Sequence, residues 1–293
     1  MDAQPVYADS TLSAAADGRL TCTLCPHACR LRAGETGFCR ARTNDGGTIR
    51  AKNYGRLTAL ALDPIEKKPL YHFYPGSFIL SVGSFGCNLA CPFCQNAGIA
   101  MADEKIATEN VTPARLAALA EELRRQPRGN CGVAFTYNEP LVGYEYILDT
   151  APLLHAAGMK VVLVTNGMIC AEPLEHLLPH VDAMNIDLKG WRTDFYRRLG
   201  GDLATVKATI ARAAESGVHV EVTTLVIPGW NDRAEDMEEE ARWLAALSPA
   251  IPLHISRYFP RHRMSTPPTP IAVIDRLTAV ARRHLRHVHR GNC

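Results

Sequence analysis

The chain has 293 residues, of which 47% are hydrophobic and 21% charged, and its formal net charge is +2. This composition is ordinary for a soluble globular protein; no apolar run approaches the ~20 residues of a membrane span, and the charge makes no strong case for binding nucleic acid. Residues 1–20 lack the basic start and apolar core of a signal peptide, so we expect a cytoplasmic protein with cysteines in a reducing environment.

The first motif along the chain is a group of four cysteines, Cys22, Cys25, Cys29 and Cys39, with glycines nearby that allow a tight wrap. Four soft ligands suffice for a closed metal site. Structural zinc, an auxiliary iron–sulfur cluster and free thiols packed in a small module are the three interpretations. We favour a bound metal, because cysteines this dense in a cytosolic chain are seldom only packing residues.

The rest of the chain divides into two parts. Residues 1–77 are predicted to form a cysteine-rich module with short strands at 48–53 and 57–62. From residue 78 onward, short apolar runs alternate with segments of helical period, which is typical of βα units and a parallel sheet. Six units predict an α/β fold, a partial (β/α)6 TIM-like barrel over residues 78–293.

The predicted barrel strands span residues 78–82, 132–135, 160–165, 183–187, 219–226 and 253–257, with a short seventh at 287–290. The predicted helices span residues 113–126, 144–157, 172–179, 204–216, 233–247 and 271–284.

Three cysteines, Cys87, Cys91 and Cys94, follow the first barrel strand with CxxxCxxC spacing. Three thiolates can hold three irons of a four-iron four-sulfur cluster and leave the fourth iron open to a small molecule. A zinc knuckle, a disulfide pair and scattered core cysteines are the alternatives. They fit less well, because no second cysteine pair lies close downstream and the chain has no secretion signal.

This motif, with the aromatic Phe93 before its last cysteine, resembles the signature of the radical S-adenosylmethionine (SAM) superfamily. The resemblance implies that SAM chelates the open iron through its amino and carboxylate groups, and that Phe93 belongs to the cofactor site. It also implies reductive cleavage of SAM to a 5′-deoxyadenosyl radical, which abstracts hydrogen from a protein, peptide or small molecule.

Polar residues at two strand ends are candidate SAM contacts. Asn138 and Glu139 offer acceptors for an ammonium group, although a helix-capping turn before proline is the better explanation when this stretch is taken alone. Glu139 matches the acid of the Gly-Gly-Glu element in activases of glycyl-radical enzymes. Thr165 and Asn166 resemble the Asp-Thr-Asn-Gly strand end of the same activases, with Val164 in place of the aspartate; a plain strand-to-helix turn is the alternative.

The fourth strand ends in Asp187 and Lys189, which resemble the Asp-Leu-Lys of the activases. Residues two apart on a strand point to the same face, so both side chains are expected at the barrel mouth. Lys189 could neutralise the SAM carboxylate or the cluster thiolates, and Asp187 could orient Lys189. A surface salt bridge is the alternative. His254, on the sixth strand, is interpreted as a hydrogen-bonded core residue.

The string CxLCPHxCxLxxGxxGxCxxR, with Asp63-Pro-Ile-Glu-Lys-Lys-Pro69, resembles the pyruvate formate-lyase activating enzyme-like group, and especially the radical SAM member of the AmmeMemoRadiSam system. The resemblance implies a radical SAM oxidoreductase that needs a one-electron reductant such as flavodoxin or ferredoxin. Two other functions stay open: activation of a glycyl-radical enzyme, and a non-catalytic iron–sulfur or zinc protein for electron transfer or scaffolding.

Overall fold

The structure is a computed structural model that describes residues 12–14 and 18–293. Its strands are β1 Leu12–Ala14, β2 Leu20–Cys22, β3 Arg30–Leu31, β4 Arg42–Asp45, β5 Thr48–Ala51, β6 Arg56–Leu57, β7 Ala59–Pro64, β8 Phe78–Gly83, β9 Glu109–Asn110, β10 Gly132–Phe135, β11 Lys160–Thr165, β12 Ala183–Asp187, β13 His219–Val226, β14 Leu253–Arg257 and β15 Val288–Gly291. Its α-helices are α1 Ala97–Ala100, α2 Pro113–Arg124, α3 Tyr144–Ala156, α4 Ala171–Leu177, α5 Thr193–Arg198, α6 Leu203–Glu215, α7 Ala234–Leu247 and α8 Ile271–Ala281.

Eight strands form the main sheet, in the order β15, β14, β13, β12, β11, β10, β8, β7. Neighbouring strands from β8 to β15 are parallel, whereas β7 pairs antiparallel with β8 at the edge. Helices connect the successive parallel strands. The predicted α/β partial barrel is confirmed, and its predicted seventh strand is present as β15.

The sequence explains these elements locally. The parallel strands are rich in Val, Ile, Leu and Ala and are mostly buried, as β10 illustrates with four buried residues in a row. Strands buried on both faces carry such continuous apolar runs. Helix α2 begins where predicted, because Thr112 Oγ1 accepts a hydrogen bond from the Arg115 N–H and Pro113 occupies the first turn. None of the helices in residues 12–14 and 18–293 is long and apolar enough to cross a bilayer.

The N-terminal residues form two small sheets beside the barrel. Strands β1, β2 and β3 make one antiparallel sheet, and β4 and β5 form a hairpin. The guanidinium of Arg42 in β4 donates two hydrogen bonds, of 2.8 and 2.6 Å, to the carboxylate of Glu145 in α3. The backbone N–H of Cys87 also donates to the Cys39 carbonyl, over 3.2 Å. The N-terminal residues therefore contact both a barrel helix and the cysteine loop.

Residues 65–77, here called the capping segment, lie at the N-terminal ends of the strands. The Asn185 amide donates to the Pro69 carbonyl, and the backbone N–H groups of Tyr71 and His72 donate to Glu221. Asn185 lies in β12 and Glu221 in β13. Polar side chains inside the barrel thus hold this segment, and the opposite end of the sheet is left for the cleft described below.

Several features differ from the sequence-based expectation, and strands β1, β2, β3, β4 and β9 were not predicted. The predicted strand at 57–62 is divided into β6 and β7, and β7 belongs to the barrel sheet although it precedes residue 78. The division at residues 77 and 78 stays a prediction, with part of its first segment, residues 1–11 and 15–17, outside the described residues. The short helices α1 and α5 were not predicted, since each has at most six residues and too few turns to show a period.

The carboxyl group of Glu240 in α7 is buried and lies 2.5 Å from the Thr224 hydroxyl. Burial raises its pKa to about 8, against an ordinary value of 4.5. Between these two values the folded chain keeps a proton that the unfolded chain releases, so a rise in pH destabilises the fold. We therefore expect Glu240→Gln to gain stability over the native protein by at most about 1.4 kcal/mol per pH unit in this interval.

Urea denaturation at pH 5, 6.5 and 8 measures this difference. Glu239→Gln is the matched control, since Glu239 is the exposed neighbour on the same helix and should give a pH profile parallel to the native one. Parallel profiles for Glu240→Gln as well would contradict an uncharged, buried Glu240.

Candidate active site

A cleft of about 270 Å³ opens where the parallel strands end. It lies between the loop after β8 and the C-terminal ends of β10, β11 and β12. The cleft brings together ten of the predicted site residues, from four separate parts of the sequence. They are Cys87, Cys91, Phe93, Cys94, Asn138, Glu139, Thr165, Asn166, Asp187 and Lys189.

The cysteine loop is held in place by backbone contacts. Asn138 accepts from the Ser84 N–H and donates to the carbonyls of Phe85 and Gly86 at 3.1 and 3.0 Å. Gly86 has φ +89°, and a Cβ there would lie 2.6 Å from the Cys39 carbonyl oxygen. Only glycine fits this approach without a shift. Asn138 thus fixes the loop observed here, and its predicted contact with SAM stays a prediction.

Glu139 is the centre of a buried hydrogen-bond network. Its carboxylate accepts from the Thr165 hydroxyl at 2.6 Å, from the Asn166 N–H at 2.8 Å and from the Leu141 N–H at 3.1 Å. Burial raises the pKa of Glu139 to about 7, although these three hydrogen bonds act in the opposite direction. A cationic group in the cleft would favour the ionised carboxylate.

Asn166 links this network to the cysteines. Its side-chain amide donates to Asn88 Oδ1 at 2.9 Å and lies 3.7 Å from the Cys87 sulfur. Asn88 in turn donates to the Met168 carbonyl. The sequence-based reasoning missed Asn88, which is one residue after Cys87 and is buried. A polar side chain next to a metal-ligand candidate in an otherwise apolar loop was the available signal.

Asp187 and Lys189 form a salt bridge of 2.6 Å on the cysteine side of the cleft. Burial by itself would lower the pKa of Lys189, but the Asp187 carboxylate and the Cys91 thiolate raise it above its ordinary value. Lys189 is therefore positively charged at neutral pH. Its charge lies in the same cleft as the three cysteines, and a role of the pair toward the thiolates stays a prediction.

The three thiols fit the chemistry of an iron–sulfur cluster. Burial raises the pKa of each, to about 12 for Cys91, while Lys189 lowers the pKa of Cys91 and Cys94. Such thiols are protonated without metal, and iron must displace their protons. Cys87, Cys91 and Cys94 are the cysteines among the described residues that line the cleft, so this set supplies three soft ligands.

The N-terminal cysteines form a second group. Cys22, Cys25, Cys29 and Cys39 line one small cavity together with His27. The His27 ring donates to the Asn88 carbonyl at 2.9 Å, so this cavity adjoins the cysteine loop. Within the described part of the chain, no three His, Cys, Asp or Glu side chains have the arrangement of a single-ion site.

Cys170 is a fifth cysteine near this second group, and the sequence-based reasoning did not assign it. Its backbone N–H donates to the Leu24 carbonyl at 2.9 Å, and a charge on Cys22 raises the pKa of its thiol in addition to the effect of burial. It follows β11 and precedes α4, about 130 residues after Cys39. Because of this separation in the sequence, the spacing of the cysteines does not indicate that Cys170 lies near the N-terminal group.

A buried triad behind the cleft was also missed. The Tyr137 hydroxyl donates to Asp63 at 2.7 Å, and Lys68 forms a 2.9 Å ion pair with the same carboxylate. Tyr137 lines the cleft and has φ +71°. Asp63 and Lys68 belong to the Asp-Pro-Ile-Glu-Lys-Lys-Pro motif. The sequence indicated only a family resemblance for this motif and no contact with Tyr137.

The sequence profile of the radical SAM superfamily matches residues 81–244, more than half of the chain, and this range contains all ten predicted residues of the cleft. The chain belongs to the radical SAM superfamily. Membership implies a four-iron four-sulfur cluster and SAM as cofactors, and the three thiols of the cleft suit the first of these.

Individual proteins resemble this chain to different extents. An uncharacterised protein of Methanocaldococcus jannaschii is 39% identical over 94% of this chain and 82% of its own length. The isethionate sulfite-lyase activating enzyme of Desulfovibrio desulfuricans is 23% identical over 61% of this chain and 56% of that enzyme. The chain is therefore similar to an activase of a glycyl-radical enzyme over little more than half of that activase.

Among solved structures, a radical SAM methyltransferase from Sphaerobacter thermophilus superposes with a TM-score of 0.58 at 19% identity. The superposition covers 74% of this chain and 67% of the methyltransferase. At this identity the likeness concerns the fold, and it agrees with the partial barrel described above.

Proposed function

We propose that this radical SAM protein is an oxidoreductase that cleaves SAM reductively and abstracts hydrogen from a protein, peptide or small molecule. The observation that carries the proposal is the cleft in which three thiols, Glu139 and the Asp187–Lys189 pair converge. When bound, the reduced cluster supplies the electron that splits SAM into methionine and a 5′-deoxyadenosyl radical.

The residues of the chain have separate roles in this proposal. Cys87, Cys91 and Cys94 hold the cluster, and Lys189 compensates the negative charge of the thiolates or of the SAM carboxylate. Asp187 keeps the Lys189 ammonium in place through their 2.6 Å contact. Glu139 receives the SAM ammonium, and the hydrogen bonds from Thr165 and the Asn166 N–H fix the direction of its carboxylate.

Further parts of the proposal concern surroundings and partners. Phe93 lies beside the last cysteine and contributes an apolar wall to the cofactor site. Cys22, Cys25, Cys29 and Cys39 bind zinc or an auxiliary cluster. A flavodoxin or ferredoxin delivers the electron. The protein works in the cytoplasm, where thiols stay reduced. The string of N-terminal motifs supports a place in the AmmeMemoRadiSam subgroup.

An anaerobic assay tests the reaction. The reconstituted protein is incubated with SAM and dithionite, and 5′-deoxyadenosine and methionine are quantified by liquid chromatography. We expect both products in equal amounts, at levels far above a protein-free control. A protein that carries a full cluster and forms neither product would refute the proposal and favour the non-catalytic alternative, an electron-transfer or scaffold protein.

Activation of a glycyl-radical enzyme is the second candidate function, favoured by the likeness to the isethionate sulfite-lyase activating enzyme. Tyr137 and Asn138 occupy the positions where activases have two glycines, and this difference argues against activation of a glycyl-radical enzyme. Electron paramagnetic resonance of a mixture with a candidate glycyl-radical enzyme distinguishes the two. A glycyl doublet supports activation, whereas 5′-deoxyadenosine without a doublet eliminates it for that partner.

A further inference from the structure

A second cavity, of about 310 Å³, lies next to the cleft at the C-terminal end of β14. The two spaces are continuous, because four residues line both of them: Phe93, Gln95, Leu225 and Asn292. Of the ten predicted site residues in the cleft, Phe93 also lines the second cavity. The second cavity therefore offers room for another molecule beside the candidate cofactor site.

Two arginines, Arg257 and Arg261, give this cavity a positive charge, and it is here called the arginine pocket. Arg257 is the last residue of β14 and is half-buried, whereas Arg261 lies in the following loop and is exposed. In the cleft, by contrast, the Lys189 ammonium is paired with Asp187. The other described residues that line the arginine pocket are all uncharged: Phe93, Gln95, Leu225, Tyr258, Phe259 and Asn292.

Neither guanidinium is paired with a carboxylate in the part of the chain that the structure describes. Arg257 Nε donates to the Thr269 carbonyl at 2.7 Å, and its guanidinium lies 4.7 Å from the centre of the Phe259 ring. These contacts fix the direction of the group and leave its Nη1 and Nη2 atoms for a ligand. Arg261 makes one long hydrogen bond, of 3.4 Å, to the Pro260 carbonyl. The planar fork of a guanidinium matches the oxygens of a carboxylate or a phosphate.

The backbone holds Arg261 beside the cysteine loop. Arg261 and Met264 pair with each other in an isolated antiparallel bridge, which closes a tight turn. Within this turn the N–H of Arg263 donates to the Pro92 carbonyl at 2.9 Å, and Pro92 directly follows Cys91. The turn is thus tied to the loop that carries the candidate cluster ligands, so a group bound at Arg261 lies close to the cleft.

We propose that Arg257 and Arg261 bind an anionic oxygen group of the substrate, a carboxylate or a phosphate, and direct the rest of the substrate into the cleft. This inference rests on the proposed function, since it takes the cleft as the place where the radical forms. The carbon that loses hydrogen would lie near Phe93 and Leu225, which line both spaces. A charged group held at a fixed distance from the reacting carbon orients that carbon toward the radical.

Titration of two anions into the cluster-loaded protein, without SAM or reductant, tests the pocket. Pyrophosphate represents a phosphorylated substrate and tricarballylate a carboxylate substrate. Binding is measured by anaerobic calorimetry at constant, low ionic strength, where charge interactions are least screened. We expect at least one anion to bind the native protein, with a Kd about tenfold lower than for Arg257→Gln or Arg261→Gln. The anion that shows this difference identifies the substrate class, and the comparison of variants excludes anion bound at the open iron.

Two further variants separate the pocket from general charge and from folding. Arg128→Gln is the matched control, because Arg128 is exposed and lies over the Phe78 ring at the start of β8, at the end of the strands opposite the cleft. It removes the same charge and should leave the Kd within about twofold of the native value. Arg261→Lys keeps the charge without the fork and should bind more tightly than Arg261→Gln.

The outcomes of this titration and of the SAM cleavage assay are independent. Equal Kd values for native protein, Arg257→Gln and Arg261→Gln, all folded by circular dichroism, would overturn the arginine pocket, as would a native protein that binds neither anion. A protein that cleaves SAM but shows either of these results refutes the pocket alone. Anion binding that depends on both arginines, in a cluster-loaded protein that does not cleave SAM, refutes the proposed function instead.

Discussion

Replacement of Cys87, Cys91 and Cys94 by alanine is expected to abolish the iron–sulfur absorbance and the formation of 5′-deoxyadenosine together. The reason is that these are the cysteines that line the cleft in the described part of the chain, and thiolates are the ligands that iron–sulfur clusters require. Product should fall to the level of the protein-free control. Absorbance spectra and chromatography of the same anaerobic samples measure both effects.

Cys131→Ala is the matched control. Its thiol lies 3.4 Å from Ser77 Oγ, at the start of β10 and away from the cleft, so both signals should persist. Continued SAM cleavage in the triple variant would mean that the open-iron site lies elsewhere. Metal analysis of the triple variant also shows whether zinc or iron stays bound to the N-terminal cysteines, Cys22, Cys25, Cys29 and Cys39.

The barrel was predictable because its information is local. Each βα unit carries its own apolar run and helical period, so six strands could be placed from short windows. Strand β7 was not placed correctly for the opposite reason. Its residues Ala59–Pro64 give a short strand signal, but pairing with β8 at the barrel edge depends on contacts across the capping segment, which no periodicity reveals.

The candidate site was also predictable only in part, where local sequence signals sufficed. Parallel strands bring their C-terminal ends to one edge, so polar residues there were expected to converge, and Glu139, Thr165 and Lys189 do line one cleft. The contacts of Asn138 could not be predicted, because a side-chain amide can hydrogen-bond equally well to a ligand or to the backbone. The contact between the rings of His72 and His289 could not be predicted either, since the two residues are 217 positions apart.

One buried ion pair joins the N-terminal residues to the barrel, and its disruption should cost much of the stability. The Arg42 and Glu145 side chains are 2% and 11% exposed. Burial would lower the pKa of Arg42, but Glu145 raises it above its ordinary value and keeps it charged. We expect Arg42→Met to lower the free energy of unfolding by about 3–5 kcal/mol, because it leaves the Glu145 carboxylate buried without its partner.

Urea denaturation of four proteins makes this prediction specific. The double variant Arg42→Met/Glu145→Met should recover most of the loss, since two packed apolar side chains replace a desolvated pair without leaving a charge behind. Arg50→Met is the matched control, because Arg50 pairs with Asp45 on the same hairpin with both side chains exposed, and it should cost less than about 1 kcal/mol. If Arg42→Met and Arg50→Met lowered the free energy of unfolding equally, the loss would come from a change in the hairpin and not from the unpaired charge of Glu145. Recovery in the double variant would mean that the pair itself adds little net stability and that the damage comes from breaking it on one side.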